Sequence, residues 1–179
     1  MQSRRRLVGG LRVVFGIIWL IDSAMKWSPA FFHQYLAMLK AGAQGQPAWL
    51  MPWFHLWVGM VAPHPESWAL VTALVETATA LGLIFGFAQK IGYGVGTLFS
   101  LAIWSTAEGF GGPYTPGATD IGTSIIYALV FVYLGAMQYL EGMPAWSVDA
   151  WIIARWPTWR RFADFARPSV AEREIKNAG

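Results

Sequence analysis

The chain has 179 residues, 55% hydrophobic, 16% aromatic and only 13% charged, with a mean hydropathy of +0.41 and a net charge of +3. A soluble domain carries roughly 25% charged residues, so an ordinary globular protein is excluded, and the apolar richness excludes a disordered chain. Cys is absent, which removes disulfides, thiolate nucleophiles, iron–sulfur clusters and zinc–thiolate sites together and leaves a single-domain integral membrane protein to be tested by run length.

A bilayer-crossing helix needs about 20 largely apolar residues, and four segments qualify. The first, residues 7–27, is interrupted by Arg12, Asp22 and Lys26. Arg4, Arg5 and Arg6 precede it as in a signal peptide. Asp22, Lys26 and Trp27 stand where small residues and a cleavage site belong, so it reads as an uncleaved helix. Residues 28–66 then form a long connection on the outer face, holding all three His (His33, His55 and His64). Within it, residues 29–40 read as a short amphipathic helix, and residues 49–61 as an apolar piece too short to span that lies in the interface. Together these cap the bundle.

The second span, residues 67–88, has Glu76 as its lone charge and reaches roughly 33 Å. A minimal link at 89–90 makes a tight hairpin with the third span, residues 91–107, which carries no charge. Residues 108–120 hold four Gly and two Pro, the mark of a loop with special backbone angles. Thr119 or Asp120 offers an N-cap for the fourth span, residues 121–140. Beyond it, residues 147–165 are amphipathic and basic and read as one helix lying on the cytoplasmic membrane surface. The chain thus divides into a four-helix transmembrane domain, 1–145, and a cytoplasmic helix and tail, 146–179.

Placing the N-terminus in the cytoplasm puts 11 of the 13 Lys and Arg at the inner face, leaving Lys26 and Lys40 outside. The positive-inside bias then sets both termini in the cytoplasm of a bacterial-type inner membrane. The basicity follows from topology and contact with anionic lipid, so no nucleic-acid partner is implied. Ten of the 11 Trp fall in two belts at the interfaces, with only Trp19 well inside a span.

Small and polar residues in lipid face other helices. The inward stripes are Arg12, Gly16, Trp19, Ser23 and Lys26 on the first span, and Thr72, Glu76 and Thr79 on the second. The third carries Gly92, Gly96, Ser100 and Trp104, and the fourth Ser124, Tyr127 and Gln138. The pairs Gly92/Gly96 and Gly82/Gly86 read as packing faces within the chain. Asp22 and Lys26, four apart, can pair on one face. With Glu76, Glu108 and Asp120 they gather the ionisable residues in the outer half of the bundle, as a polar pocket or as a lock on helix packing. The three His lie outside the spans and lack helical ligand spacing. They are weak metal candidates, and haem ligation is not expected.

Three stretches resemble a known family. They are the first helix ending Asp22-Ser-Ala-Met-Lys26-Trp27, the Glu76 helix followed by Leu-Gly-Leu-Ile-Phe-Gly, and Trp104-Ser-Thr-Ala-Glu108-Gly-Phe-Gly-Gly-Pro-Tyr114 continuing to Asp120-Ile-Gly. Over residues 5–141 the pattern is similar to the DoxX-like superfamily, in particular the DoxD-type small subunit of thiosulfate:quinone oxidoreductase. The resemblance implies a four-helix membrane bundle serving quinone-dependent sulfur oxidation or another respiratory redox complex, with partner subunits. On that basis Glu76, Asp22 and Lys26 handle protons, Trp104 and Tyr114 flank a quinone ring, and Glu108 and Asp120 complete the site. The acidic outer face is a poor match for the thiosulfate dianion. With no Cys, the electron carrier must be borrowed. A non-catalytic accessory or assembly subunit and a small proton-coupled transporter remain the alternatives.

Overall fold

Every regular element is a helix among the residues described by the computed structural model of the chain, which are 2–112 and 120–165. They are α1 (Gln2–Met25), α2 (Pro29–Gly42), α3 (Met51–Val61), α4 (Pro65–Phe85), α5 (Gln89–Ser105), α6 (Thr123–Glu141), α7 (Val148–Arg155) and α8 (Arg160–Ala163). Among the described residues, α1, α4 and α6 are long and apolar enough to cross a membrane. Tyr114, Thr119, Arg167, Arg173 and Lys176 lie outside the described residues.

The burial pattern is inside-out. Leu7, Val14, Ile17, Ile21 and Met25 of α1 are exposed while Arg12 and Ser23 are buried. On α4, Leu70, Val71 and Leu74 are exposed while Thr72 and Glu76 are buried. On α6, Ile126, Leu129 and Val132 face out while Ser124 and Gln138 face in. In water this arrangement would be costly; in hydrocarbon it is what helix packing requires.

Alternate helices run antiparallel. Gly16 of α1 meets Leu83 and Ile84 of α4, whereas Lys26 meets Glu76. Gly96 of α5 meets the Phe131 ring of α6, and Trp104 meets Ile121. A proximal end therefore holds the N-terminus, the α4–α5 turn and the close of α6. The distal end holds Met25, Pro65, Ser105 and Thr123. Midway between, Phe15, Trp19, Tyr127 and Phe131 form an edge-on aromatic cluster with centroids 5.0 Å apart for Phe15–Phe131 and 5.1 Å for Trp19–Phe131. Such pairs each add about 0.5–1.5 kcal/mol beyond area burial.

Helix ends depart from the sequence expectation where local chemistry dictates. Helix α4 stops at Phe85 because Gly86 takes the left-handed conformation, φ 66°, and a Cβ there would collide with the Arg12 guanidinium. Helix α6 begins at Thr123. Asp120 spends its carboxylate on the Gly122 amide at 2.7 Å and does not cap the helix as expected. The single surface helix expected over 147–165 is broken: α7 ends at Arg155, Pro157–Trp159 is a 3₁₀ turn, and α8 is four residues long. Pro157 removes an amide donor and forces Trp156 out of the helical region, to φ −130°, ψ 85°.

Helices α2 and α3 lie over the distal end. Gln46 Nε2 donates to the carbonyls of Gly42, at 3.2 Å, and Gly109, at 2.7 Å. Trp53 Nε1 donates to Ser105 O at 2.9 Å. These bonds tie the 28–66 connection to the end of α5.

Candidate functional site

Asp22, Lys26 and Glu76 come together at the distal end. One helical turn separates Asp22 from Lys26, so Lys26 Nζ reaches Asp22 Oδ2 at 3.2 Å. The antiparallel packing of α1 on α4 sets Glu76 Oε2 3.4 Å from the same ammonium. Exposure falls along the cluster, from 30% for the Asp22 side chain to 21% for Lys26 and 1% for Glu76. A path from surface to interior therefore exists within three side chains. The Lys26 ammonium also stands over the Phe31 ring of α2, 5.8 Å from its centroid.

Hydrogen bonds hold the surrounding helices in place. Trp27 Nε1 donates to Thr77 Oγ1 at 3.0 Å, and the hydroxyls of Tyr35 and Thr72 are 2.9 Å apart. Burial raises the Tyr35 phenol above its ordinary pKa and keeps it neutral. Tyr127 of α6 lies within electrostatic reach of Asp22, Lys26, Glu108 and Glu76, and its ring is 5.1 Å from Trp19. The Trp19 indole N–H is buried without an acceptor.

Glu76 has no hydrogen bond on either carboxylate oxygen. Lys26 faces it as an ion pair without hydrogen-bond geometry. Two carboxylates share one cation, leaving one negative charge unbalanced unless a proton is carried. Buried polar atoms are bonded in the large majority of cases, and Glu76 is the buried carboxylate among the described residues that departs from this.

The other expected site residues occupy a second cluster between α5 and α6. Glu108 accepts from the Ser124 amide at 3.2 and 3.1 Å and from Ser124 Oγ at 2.8 Å, capping α6 across the loop. Trp104 Nε1 donates to Ile121 O at 2.7 Å, and its ring meets Phe110 edge-on at 5.1 Å. Trp104, Phe110, Trp53, Leu50, Leu101 and Ser105 line an apolar groove of 350 Å³ at this end. His33 Nδ1 lies 3.8 Å from Glu66 Oε1 on the exposed surface. Among the described residues no three His, Asp or Glu side chains gather as a metal site.

At the proximal end lies a cluster the sequence did not point to. Asp149 of α7, fully buried, accepts from the Ala88 and Gln89 amides, at 2.8 and 2.9 Å, and from Trp159 Nε1 at 2.8 Å. It caps α5 from 60 residues away, which no local motif could announce. Arg12, also fully buried, donates from one terminal nitrogen to Trp146 O at 2.8 Å. Its Nε and other terminal nitrogen have no partner.

Comparison of the chain with protein-family models, with characterised proteins and with solved structures finds no match.

Proposed function

We propose that the chain is a four-span membrane protein serving as the membrane subunit of a quinone-linked oxidoreductase, with Asp22, Lys26 and Glu76 as its proton-handling centre. The observation that carries this reading is the contrast between Glu76 and two other acids, buried Asp149 and half-buried Glu108. Asp149 and Glu108 are hydrogen-bonded as structural caps, whereas Glu76 is 1% exposed with both oxygens free of hydrogen bonds. A carboxylate kept only for packing would be bonded like the other two.

Helix α5 supplies the fourth span. Its 17 residues reach about 26 Å, its outward positions Ile91, Val95 and Leu98 are apolar, and the Gly86 turn sends it back beside α4. The basic proximal end then faces the cytoplasm, and α2 and α3 cap the outer side of a bacterial-type inner membrane.

Two separate features support a quinone. A quinone supplies a two-electron, two-proton acceptor, which this Cys-free chain lacks. Glu76 offers two unbonded oxygens beside the Lys26 ammonium, and the groove lined by Trp53, Trp104 and Phe110 suits an aromatic ring. Trp104 would flank the ring by its face, because its N–H is already committed to Ile121. Glu76 holds and exchanges the proton, Lys26 offsets the charge, and Asp22 connects the pair to the outer surface. The electron donor belongs to a partner subunit or to a sulfur substrate such as thiosulfate. Two thiosulfates joined as tetrathionate release the two electrons that the quinone accepts with two protons.

Purified chain, alone and with its co-purifying partners, is mixed with thiosulfate and decyl-quinone while quinone absorbance is followed. Turnover is expected, falling about a hundredfold or more in Glu76→Gln, the range for losing a general acid or base. Absence of turnover in both preparations overturns the oxidoreductase reading. Larger subunits lost from the Glu76→Gln preparation would then select the accessory role.

A further inference from the structure

A groove of 370 Å³ runs between α5 and α6 on the membrane-facing side, away from the Glu76 cluster. Its walls are Tyr93, Phe131, Tyr139 and Phe165, and its floor includes Gly94 and Gly135. These two glycines differ from Gly96 on the same pair of helices. A Cβ at Gly96 would strike the Phe131 ring, so close packing demands glycine there. A Cβ at Gly94 meets nothing within 4 Å, and one at Gly135 meets Phe165 only at 3.6 Å, an ordinary contact. Neither has a positive φ. The protein's own packing does not require glycine at either position; their effect is to leave space.

The proximal end of the groove is cationic. Phe165 closes it, and Lys90 Nζ stands over that ring, 5.8 Å from its centroid. Arg161, on the α8 turn that packs against α5, stacks on Phe162 at 4.5 Å. Among the described residues neither Lys90 nor Arg161 has a carboxylate within ion-pair distance. An apolar slot that ends at cations with no described carboxylate in ion-pair reach, at the depth of the cytoplasmic headgroups, matches one occupant in both shape and charge.

We propose that the α5–α6 groove is a binding site for an anionic phospholipid, with an acyl chain along Gly94 and Gly135 and its phosphate at Lys90 and Arg161. The site rests on α5 and α6 spanning the membrane and is independent of the oxidoreductase reading. It differs from general basic attraction to the inner leaflet, because the chain slot selects one lipid and holds it.

Full-length chain is extracted from vesicles of equal phosphatidylglycerol and phosphatidylcholine, washed in detergent, and its retained lipid measured by mass spectrometry. Phosphatidylglycerol is expected in excess. Lys90→Gln should lower that preference about fivefold, the effect of one basic residue facing an anionic headgroup, and Lys90→Arg should restore it. Gly94→Leu fills the slot and should abolish retention without lowering the melting temperature, since open space and a better helix former replace glycine. If that variant melts early, Gly135→Leu takes its place. Equal retention of both lipids by the unaltered chain overturns the proposal. So does a preference that survives slot filling, which would mean headgroup attraction alone, or displacement of the lipid by decyl-quinone, which would assign the slot to the acceptor.

Discussion

Acidic side chains at three positions set the terms at the residue scale, because each is bonded differently. Asp149 satisfies two backbone amides and an indole, Glu108 satisfies one amide and one hydroxyl, and Glu76 faces only the Lys26 ammonium, at 3.4 Å. Removing a buried acceptor strands its donors at about 1–3 kcal/mol each. Asp149→Ala should therefore lower the melting temperature in detergent strongly, by a loss of about 3 kcal/mol or more, while Glu76→Gln, which leaves Lys26 its Asp22 partner, should lower it less. The reverse ranking would make Glu76 the structural carboxylate and remove the basis of its proposed chemistry. The pairing of Asp22 with Lys26 was legible in the sequence, because four residues make one helical turn. The arrival of Glu76 opposite them followed from its being the lone charge in its span. Asp149 was not legible, since its donors are 60 residues distant and only the folded chain brings them near.

Among elements, the α5–α6 pair is tightly specified at one point. Gly96 lies against the Phe131 ring, and Phe131 in turn packs on Phe15 and Trp19, so a side chain at 96 pushes on three helices at once. Gly96→Val should cost about 1–3 kcal/mol, as overpacking does, and shift tryptophan fluorescence because Trp19 is in the displaced cluster. An unchanged spectrum and melting temperature would show that the cluster has slack. Gly92, paired with Gly96 in the sequence pattern, meets nothing. A spacing of four marks one helix face but does not say how far along that face the neighbour reaches. The helices were readable from apolar runs because lipid-facing length is set by the bilayer. The break at Pro157 carried its own signal, which the amphipathic pattern of the surrounding residues outweighed. The cap on α6 came from Glu108 because the intervening loop folds back, a fact of backbone path and not of composition.

The whole molecule is an arrangement of apolar outer faces around a polar interior, and its orientation can be tested with unusual economy. The chain has no Cys, so one introduced thiol is the only thiol. Ser3→Cys at the exposed start of α1 and Gln44→Cys at the exposed end of α2 lie at opposite ends of the bundle. A membrane-impermeant maleimide applied to intact cells should label the second and reach the first only after permeabilisation. Labelling of both from outside would overturn the four-span topology. Charge asymmetry and Trp belts bear on orientation, because they are statements about interfaces, whereas the closure of the proximal end is a statement about order in time. Arg12 finds its acceptor, Trp146 O, 134 residues later. Ala145 bonds back to Arg5, and Asp149 to the Gly86 turn. A ribosome adding residues in sequence delivers α1 to the bilayer before its acceptor exists, and α1 to α6 are all made before residues 145–149 follow. Residues 145–149 therefore close the proximal end only after the long helices have been made, and Arg12 is without its Trp146 acceptor for most of the chain's synthesis.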